Sequence, residues 1–271
     1  MPSLREVVDL LHRWYPPDTA ESWDAVGLVY GDPDAEVRRV LFALDPVLPV
    51  AEEAAAWGAD LVVTHHPLFL RAVHGFAATT PKGRTLARLA DARCALLAAH
   101  TNADLAVGGV SEAMADVLGL TGLRPIQSEP GSEDAGEPSA GTGRIGDVQP
   151  TTLREFAEVV AAALPATAQG VRVAGDPHRP VRRVAVLAGA GDFLLDTMAL
   201  SDADVFVTSD LRHHPASEFV EKDGPALIDV AHWAAEWTWL PVVEARLRAA
   251  LGDAVETRVS TLVTDPWSFR V

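Results

Sequence analysis

Two histidines stand side by side at His65-His66, immediately ahead of Pro67. Two more each precede a carboxylate by four residues, as His100-Thr101-Asn102-Ala103-Asp104 and His232-Trp233-Ala234-Ala235-Glu236. Imidazole and carboxylate without thiolate are the donors of a mixed N/O site for Zn, Fe, Mn or Co. Residues four apart on a helix share one face, so His232 and Glu236 can serve one metal ion or a metal pair. Taken singly, each His-x-x-x-carboxylate run reads as a solvated helix start. What lifts the reading is that all three motifs follow strand-forming runs.

The elements that must position them are legible. Leu61-Val62-Val63-Thr64 is a short apolar, β-branched run, the mark of a strand covered on both faces. Pro67 ends it and biases His66 toward extended backbone. In α/β sheets ligands gather beyond the carboxyl ends of strands, which is where both imidazoles fall. Ala95–Ala99 and Ala226–Asp229 are the strands ahead of His100 and His232. Ser3-Leu4-Arg5-Glu6 is a capping box opening a helix that ends near Tyr15-Pro16-Pro17. Further helices are expected over Pro49–Trp57, Thr85–Asp91, Val110–Leu118 and, as one piece, His232–Leu251, with a strand over Val40–Leu44.

Short matches recur at a single offset of 144 residues. Gly31-Asp32-Pro33 returns as Gly175-Asp176-Pro177, Val37-Arg38-Arg39-Val40 as Val181-Arg182-Arg183-Val184, and Ala59-Asp60 as Ala203-Asp204. The capping box returns as Thr152-Leu153-Arg154-Glu155. A duplicated α/β unit follows, with a first repeat over 1–126, an acidic Ser/Gly/Pro loop over 127–143 and a second repeat over 144–271. The copies diverge after the key strand. Ser209-Asp210 replaces the paired histidines, and His213-His214 comes slightly later.

Composition narrows the classes of function. The chain has 271 residues, 48% hydrophobic and 22% charged, which is globular rather than disordered. Its net charge of −16 argues against a nucleic-acid partner, because phosphate contacts dominate that affinity. No apolar run approaches a membrane span, and a charged amphipathic N-terminus does not read as a secretory signal. Cys94 is the one cysteine, which removes disulfides and thiolate metal sites and fits a reducing cytoplasm.

The chain resembles the GTP cyclohydrolase 1 type 2 homologues, the Nif-three-like dinuclear-metal hexameric proteins, over nearly its whole length. The resemblance rests on Glu21-Ser22-Trp23-Asp24 with Gly27-Leu28, Thr64-His65-His66-Pro67-Leu68, and His100-Thr101-Asn102 with Asp104. It continues through Gly143-Arg144-Ile145-Gly146, Thr208-Ser209-Asp210 with His213-His214, and His232 with Glu236. It implies two intertwined, duplicated α/β repeats with mixed sheets. It also implies two divalent transition-metal ions per chain, held by His65, His66, Asp104, His232 and a bridging Glu236. His100, His213 and His214 would line the same cavity, and the chain would assemble as a homo-hexamer around a small-molecule substrate. The pattern departs at Ala25, Ser209 and Ala231, where Asn, Gly and Gly are usual, and the long central insertion of some members is absent.

Two functions are open at this level. One is metal-dependent hydrolysis of a nucleotide or other small molecule, with His100, His213 or His214 as general acid/base. A phosphoesterase or amidohydrolase is the neighbouring reading. The other is a non-catalytic metal-binding scaffold or regulator. No glycine-rich phosphate loop accompanies the family name; Arg71, Lys82, Arg144 and Arg212 are scattered candidates for an anionic substrate.

Overall fold

In chain order the elements of the computed structural model begin with α1 (Leu4–Trp14), β1 (Gly27–Tyr30), β2 (Arg39–Ala43), α2 (Leu48–Trp57), β3 (Leu61–Thr64), α3 (Pro81–Asp91) and β4 (Ala95–Ala98). There follow α4 (Thr101–Leu105), α5 (Val110–Val117), β5 (Thr121–Arg124), β6 (Gln127–Ser128), β7 (Gly141–Thr142), β8 (Arg144–Thr152) and α6 (Leu153–Ala163). The chain closes with β9 (Arg172–Ala174), β10 (Pro180–Ala190), α7 (Leu195–Ala199), β11 (Val205–Ser209), α8 (His213–Val220), β12 (Ala226–Val230), α9 (His232–Trp237), α10 (Trp239–Leu251) and β13 (Glu256–Val259). The structure describes residues 1–128 and 139–271. Of the acidic loop expected over 127–143, both ends are paired as β6 and β7, and 129–138 lie outside the described residues.

Two compact units are formed, each from two stretches of chain: 1–103 with 240–264, and 104–239 with 265–271. The first contains a five-stranded mixed sheet in the order β1-β4-β3-β2-β13. Its central pairs β2–β3 and β3–β4 are parallel, β1 is antiparallel, and β13 joins from the far end of the sequence. All four residues of β3 and of β4 are buried, which is why these runs carry no polar alternation. Leu41, Ala43, Val62 and Leu96 form one face of this core, packed with Val50 and Ala54 of α2 and Leu86 and Leu89 of α3.

The second unit contains a six-stranded mixed sheet in the order β5-β8-β10-β11-β12-β9. Ala185, Leu187, Phe206 and Leu227 pack with Leu194, Leu195, Met198 and Phe219 on one face.

The internal repeat is visible atom by atom. Asp60 Oδ2 accepts the backbone N–H groups of Arg38 and Arg39 at 2.7 and 2.9 Å, and Asp204 Oδ2 accepts those of Arg182 and Arg183 at the same distances. A Cβ on Gly31 would meet Ala95 and Leu4; on Gly175 it would meet Ala226 and Leu153. Both capping boxes form as the sequence indicates, at Ser3/Glu6 and Thr152/Glu155.

Two element expectations need correction. The helix expected from Thr85 begins at Pro81, because the Thr80 hydroxyl caps Gly83 N and Pro81 supplies a preset φ at the first position. The single helix expected over His232–Leu251 is broken into α9 and α10 at Thr238. Pro241 has no N–H to offer the Trp237 carbonyl, and its ring crowds that turn. Trp233 and Trp239 beside the break are buried core residues.

Candidate metal centre

In the first unit the strand ends deliver three imidazoles to one place. Beyond β3, Thr64 Oγ1 donates to His66 O at 2.8 Å and His66 N donates to Leu44 O at 3.0 Å, which bends the chain out of the sheet. His65 is fully buried there, and His66 is half-buried. Beyond β4, His100 closes the group. Ring centroids of His65 and His66, His65 and His100, and His66 and His100 are 5.1, 5.1 and 5.5 Å apart. One ligand atom from each of the three lies within 4.8 Å of the others, a spacing a transition-metal ion with bonds of about 2.0–2.1 Å to nitrogen can draw together.

The tautomer of each ring is set by its other nitrogen. His65 Nδ1 meets the Ala99 carbonyl at 2.9 Å, His66 Nδ1 meets Asp45 Oδ1 at 2.6 Å, and His100 Nδ1 meets Asp24 Oδ1 at 2.8 Å. Carbonyl and carboxylate oxygens only accept, so Nδ1 carries the proton in all three rings and Nε2 carries the lone pair. That arrangement, imidazole N–H donated outward and Nε2 directed to the ligand side, is how proteins orient histidine for a metal.

The His-Thr-Asn run has a local role for every residue. Thr101 N and Oγ1 both donate to Asp24 Oδ2, at 3.0 and 2.6 Å, while Thr101 Oγ1 accepts from Glu21 N at 3.0 Å. Asn102 Oδ1 accepts from His100 N at 2.9 Å, and Asn102 Nδ2 donates to the Tyr15 carbonyl at 2.8 Å. Asp24 is fully shielded from solvent, and burial alone would favour its neutral form. The hydrogen bonds from His100 and Thr101 reverse that and hold its carboxyl far below the usual carboxylate range. Trp23 covers the edge of His100, with ring centroids 5.9 Å apart.

The second unit carries the remaining candidates. His232 opens α9 and its Nε2 lies 2.8 Å from Glu236 Oε1 one turn later, while its Nδ1 lies 2.7 Å from Asp210 Oδ2. Burial would lower the His232 pKa, but Glu236 and Asp210 together push it up to about 11. Glu236 itself is buried, and the backbone makes room for it: a Cβ on Gly189, at φ +88°, would lie 2.6 Å from Glu236 Oε1. Asp210 adopts φ +57°, unusual for a non-glycine residue and enriched at functional sites. Asp104 sits on α4, half-buried, with Oδ1 shielded from solvent. His213 and His214 begin α8, both exposed, with rings 5.2 Å apart. His213 lines a cavity of about 530 Å³ with Arg172 and Asp229.

Of the scattered cations, Arg144 is withdrawn from any substrate role. It is buried and donates to the carbonyls of Ala106, Gly141 and Gly143 and to Glu112. Arg212 is paired with Asp192 at 2.5 Å. Asp45 is the functional residue that sequence reasoning missed. It follows β2, and its counterpart at the 144-residue offset is Gly189, the position that clears space for Glu236. At the same offset His66 corresponds to Asp210, so a carboxylate in the second copy stands where the first carries an imidazole.

An α/β chain built from two repeats, with histidines anchored to oxygens at its strand ends, carries residue groups that could hold a metal ion. The chain belongs to the Duf34/NIF3 (NGG1p interacting factor 3) family, whose profile matches residues 2–266. It is 49% identical to a Streptomyces coelicolor protein named GTP cyclohydrolase 1 type 2 homolog, over 100% of this chain and 95% of that protein. A Mycobacterium tuberculosis protein of the same name is 35% identical over 98% of this chain and 96% of its own length. That alignment spans 367 positions, so the relative carries a long segment with no counterpart here. Among solved structures, a Bacillus cereus protein related to NIF3 superposes with a TM-score of 0.90 at 24% identity, covering 99% of both chains. A Staphylococcus aureus protein does so at 0.88 and 27% identity, again over 99% of both.

Proposed function

We propose that this protein is a dinuclear metal-dependent hydrolase acting on a nucleotide or another small molecule. The observation that carries the reading is that His65, His66 and His100 meet at one place, each with Nδ1–H anchored to an oxygen, so that His65 and His66 can offer ligand atoms to an ion beside which His100 stands. Structural histidines have no need of three separate anchors converging on one locus.

By resemblance, His65, His66 and Asp104 with His232 and Glu236 would hold the ions. The donor set fits: imidazole Nε2 atoms and carboxylates without sulfur suit Zn, Fe, Mn or Co. When bound, such ions activate water and polarise a substrate oxygen. The chain's own residues do the rest. Asp45 and the Ala99 carbonyl fix the rings of His66 and His65. Asp24 keeps the proton of His100 on Nδ1, so Nε2 is the atom that takes a proton from the nucleophile or returns one to the leaving group. His213 and His214 are the alternative acid/base pair. By the same resemblance the chain forms a homo-oligomer, a hexamer.

The test is a screen of nucleotides, phosphoesters and small amides with added divalent metal. Turnover should vanish in a folded His65→Ala, Asp104→Ala double variant. In His100→Ala, metal content should be retained and the rate should fall on the order of 10²–10⁴-fold. A fully metallated protein that turns over nothing in that screen would leave a metal-binding scaffold or regulator as the better account.

A further inference from the structure

A cavity of about 530 Å³ opens beside His66 and His100 within the first unit. Its volume lies in the range of small-molecule sites. Val47 and Leu70 contribute apolar wall, and Lys82 and Arg84 contribute cations. Asp45 also lines it, but Asp45 is committed to His66 Nδ1 and to the Thr264 hydroxyl.

Arg39, Arg183, Arg212 and Lys222 are all ion-paired with carboxylates. Among the described residues neither Lys82 nor Arg84 forms an ion pair, in a protein whose net charge is −16.

The backbone that carries them is also fixed. Thr80 N and Oγ1 both donate to the Ala77 carbonyl, at 2.9 and 3.0 Å, and Gly83 N donates back to Thr80 Oγ1 at 3.1 Å. A Cβ on Gly83 would lie 2.1 Å from Ala77 O, so only glycine lets the loop close on the helix here. Arg84 Nη1 donates to the Thr79 carbonyl at 3.2 Å, which folds its guanidinium back toward the helix start.

We infer that Lys82 and Arg84 form an anion subsite that holds the phosphoryl group of a phosphorylated small molecule, with an apolar or ring portion lying against Val47 and Leu70. Two cations match a dianion better than a carboxylate, and the paired walls require an amphipathic ligand rather than a free ion. The inference rests on the hydrolase reading for the reacting end of the ligand, since His66 and His100 face the same space, but not for its binding.

The experiment uses the full chain, metal-stripped and metal-loaded, with phenyl phosphate as probe and titration calorimetry as readout. The wild-type protein should bind phenyl phosphate more tightly than inorganic phosphate. Lys82→Gln with Arg84→Gln should weaken phenyl phosphate at least about tenfold in the metal-stripped protein. Lys82→Arg should retain binding, and Lys222→Ala, in the second unit, should leave it unchanged. A double variant that binds within twofold of wild type overturns the subsite, as does a wild-type protein that binds the probe in neither form. A chain that takes up no metal yet binds phenyl phosphate through Lys82 and Arg84 would sink the hydrolase reading and leave the subsite standing.

Discussion

Asp24→Ala is the substitution whose cost can be worked from the structure. The shielded carboxylate accepts four hydrogen bonds, from His100 Nδ1, Thr101 N, Thr101 Oγ1 and Ala25 N. Alanine leaves those donors facing a cavity too small and too closed to solvate them all. Each stranded donor costs about 1–3 kcal/mol, and removing one partner of a buried charged pair costs about 3–5 kcal/mol in total. The total cost, taken as about 3–5 kcal/mol, should appear in urea unfolding of metal-free protein followed by far-UV circular dichroism. Asp24→Asn keeps one acceptor oxygen but aims an NH₂ at donors that need acceptors, so it should cost about half as much. In a double-mutant cycle with His100→Ala, the coupling should be about 0.5–3 kcal/mol, because the two groups share one hydrogen bond. An Asp24→Ala protein that loses less than about 1 kcal/mol would refute the view that this carboxylate organises the His-Thr-Asn corner.

Other expectations follow from single residues. Gly189→Ala forces a Cβ against Glu236 Oε1 at φ +88°, whereas Gly119→Ala, at φ +75°, meets nothing within 4 Å. Both pay for the left-handed backbone, so an excess loss of metal content in Gly189→Ala alone isolates the crowding of Glu236. Arg144→Lys should destabilise by about 2 kcal/mol in the same urea assay, because one ammonium cannot satisfy the three carbonyls and the carboxylate that the guanidinium reaches. Burial, reinforced by Asp60, pushes the Cys94 thiol up to about 12. At pH 8 the thiolate is therefore scarce, and a disulfide reagent should label Cys94 only after unfolding; labelling of the native protein at the unfolded rate would contradict this. Light scattering should report a closed homo-oligomer at micromolar concentration, and a monomer there would remove the hexamer.

Much of the arrangement was legible because the chain repeats itself. The offset of 144 residues located the strands, and the structure returns the same Asp60 and Asp204 bonds in both copies. Strand-end histidines were readable because Pro67 and the apolar run before it fix where β3 must stop. Asp45 was not, since a lone aspartate after a strand looks like any turn residue until His66 is seen against it. The cavity beside His66 was hidden for a similar reason. Lys82 is a scattered candidate for an anionic substrate in the sequence and Arg84 carries no sequence signal, and the loop closing on Gly83 gathers them to one rim. Arg144 erred the other way, because an arginine in a glycine-rich stretch looks like a phosphate contact, whereas here it knits backbone carbonyls. The helix break at Thr238 depended on Pro241, which a periodicity count passes over.

The central claim is that these imidazoles and carboxylates bind metal, and elemental analysis after equilibrium dialysis against a divalent transition metal tests it most directly. The wild-type chain should retain about two ions. His65→Ala with His66→Ala should abolish retention, and Glu236→Gln should lower occupancy at both positions if Glu236 serves both ions, as the resemblance implies. Undiminished metal in the double histidine variant, or no retention by the wild-type chain, would contradict the account.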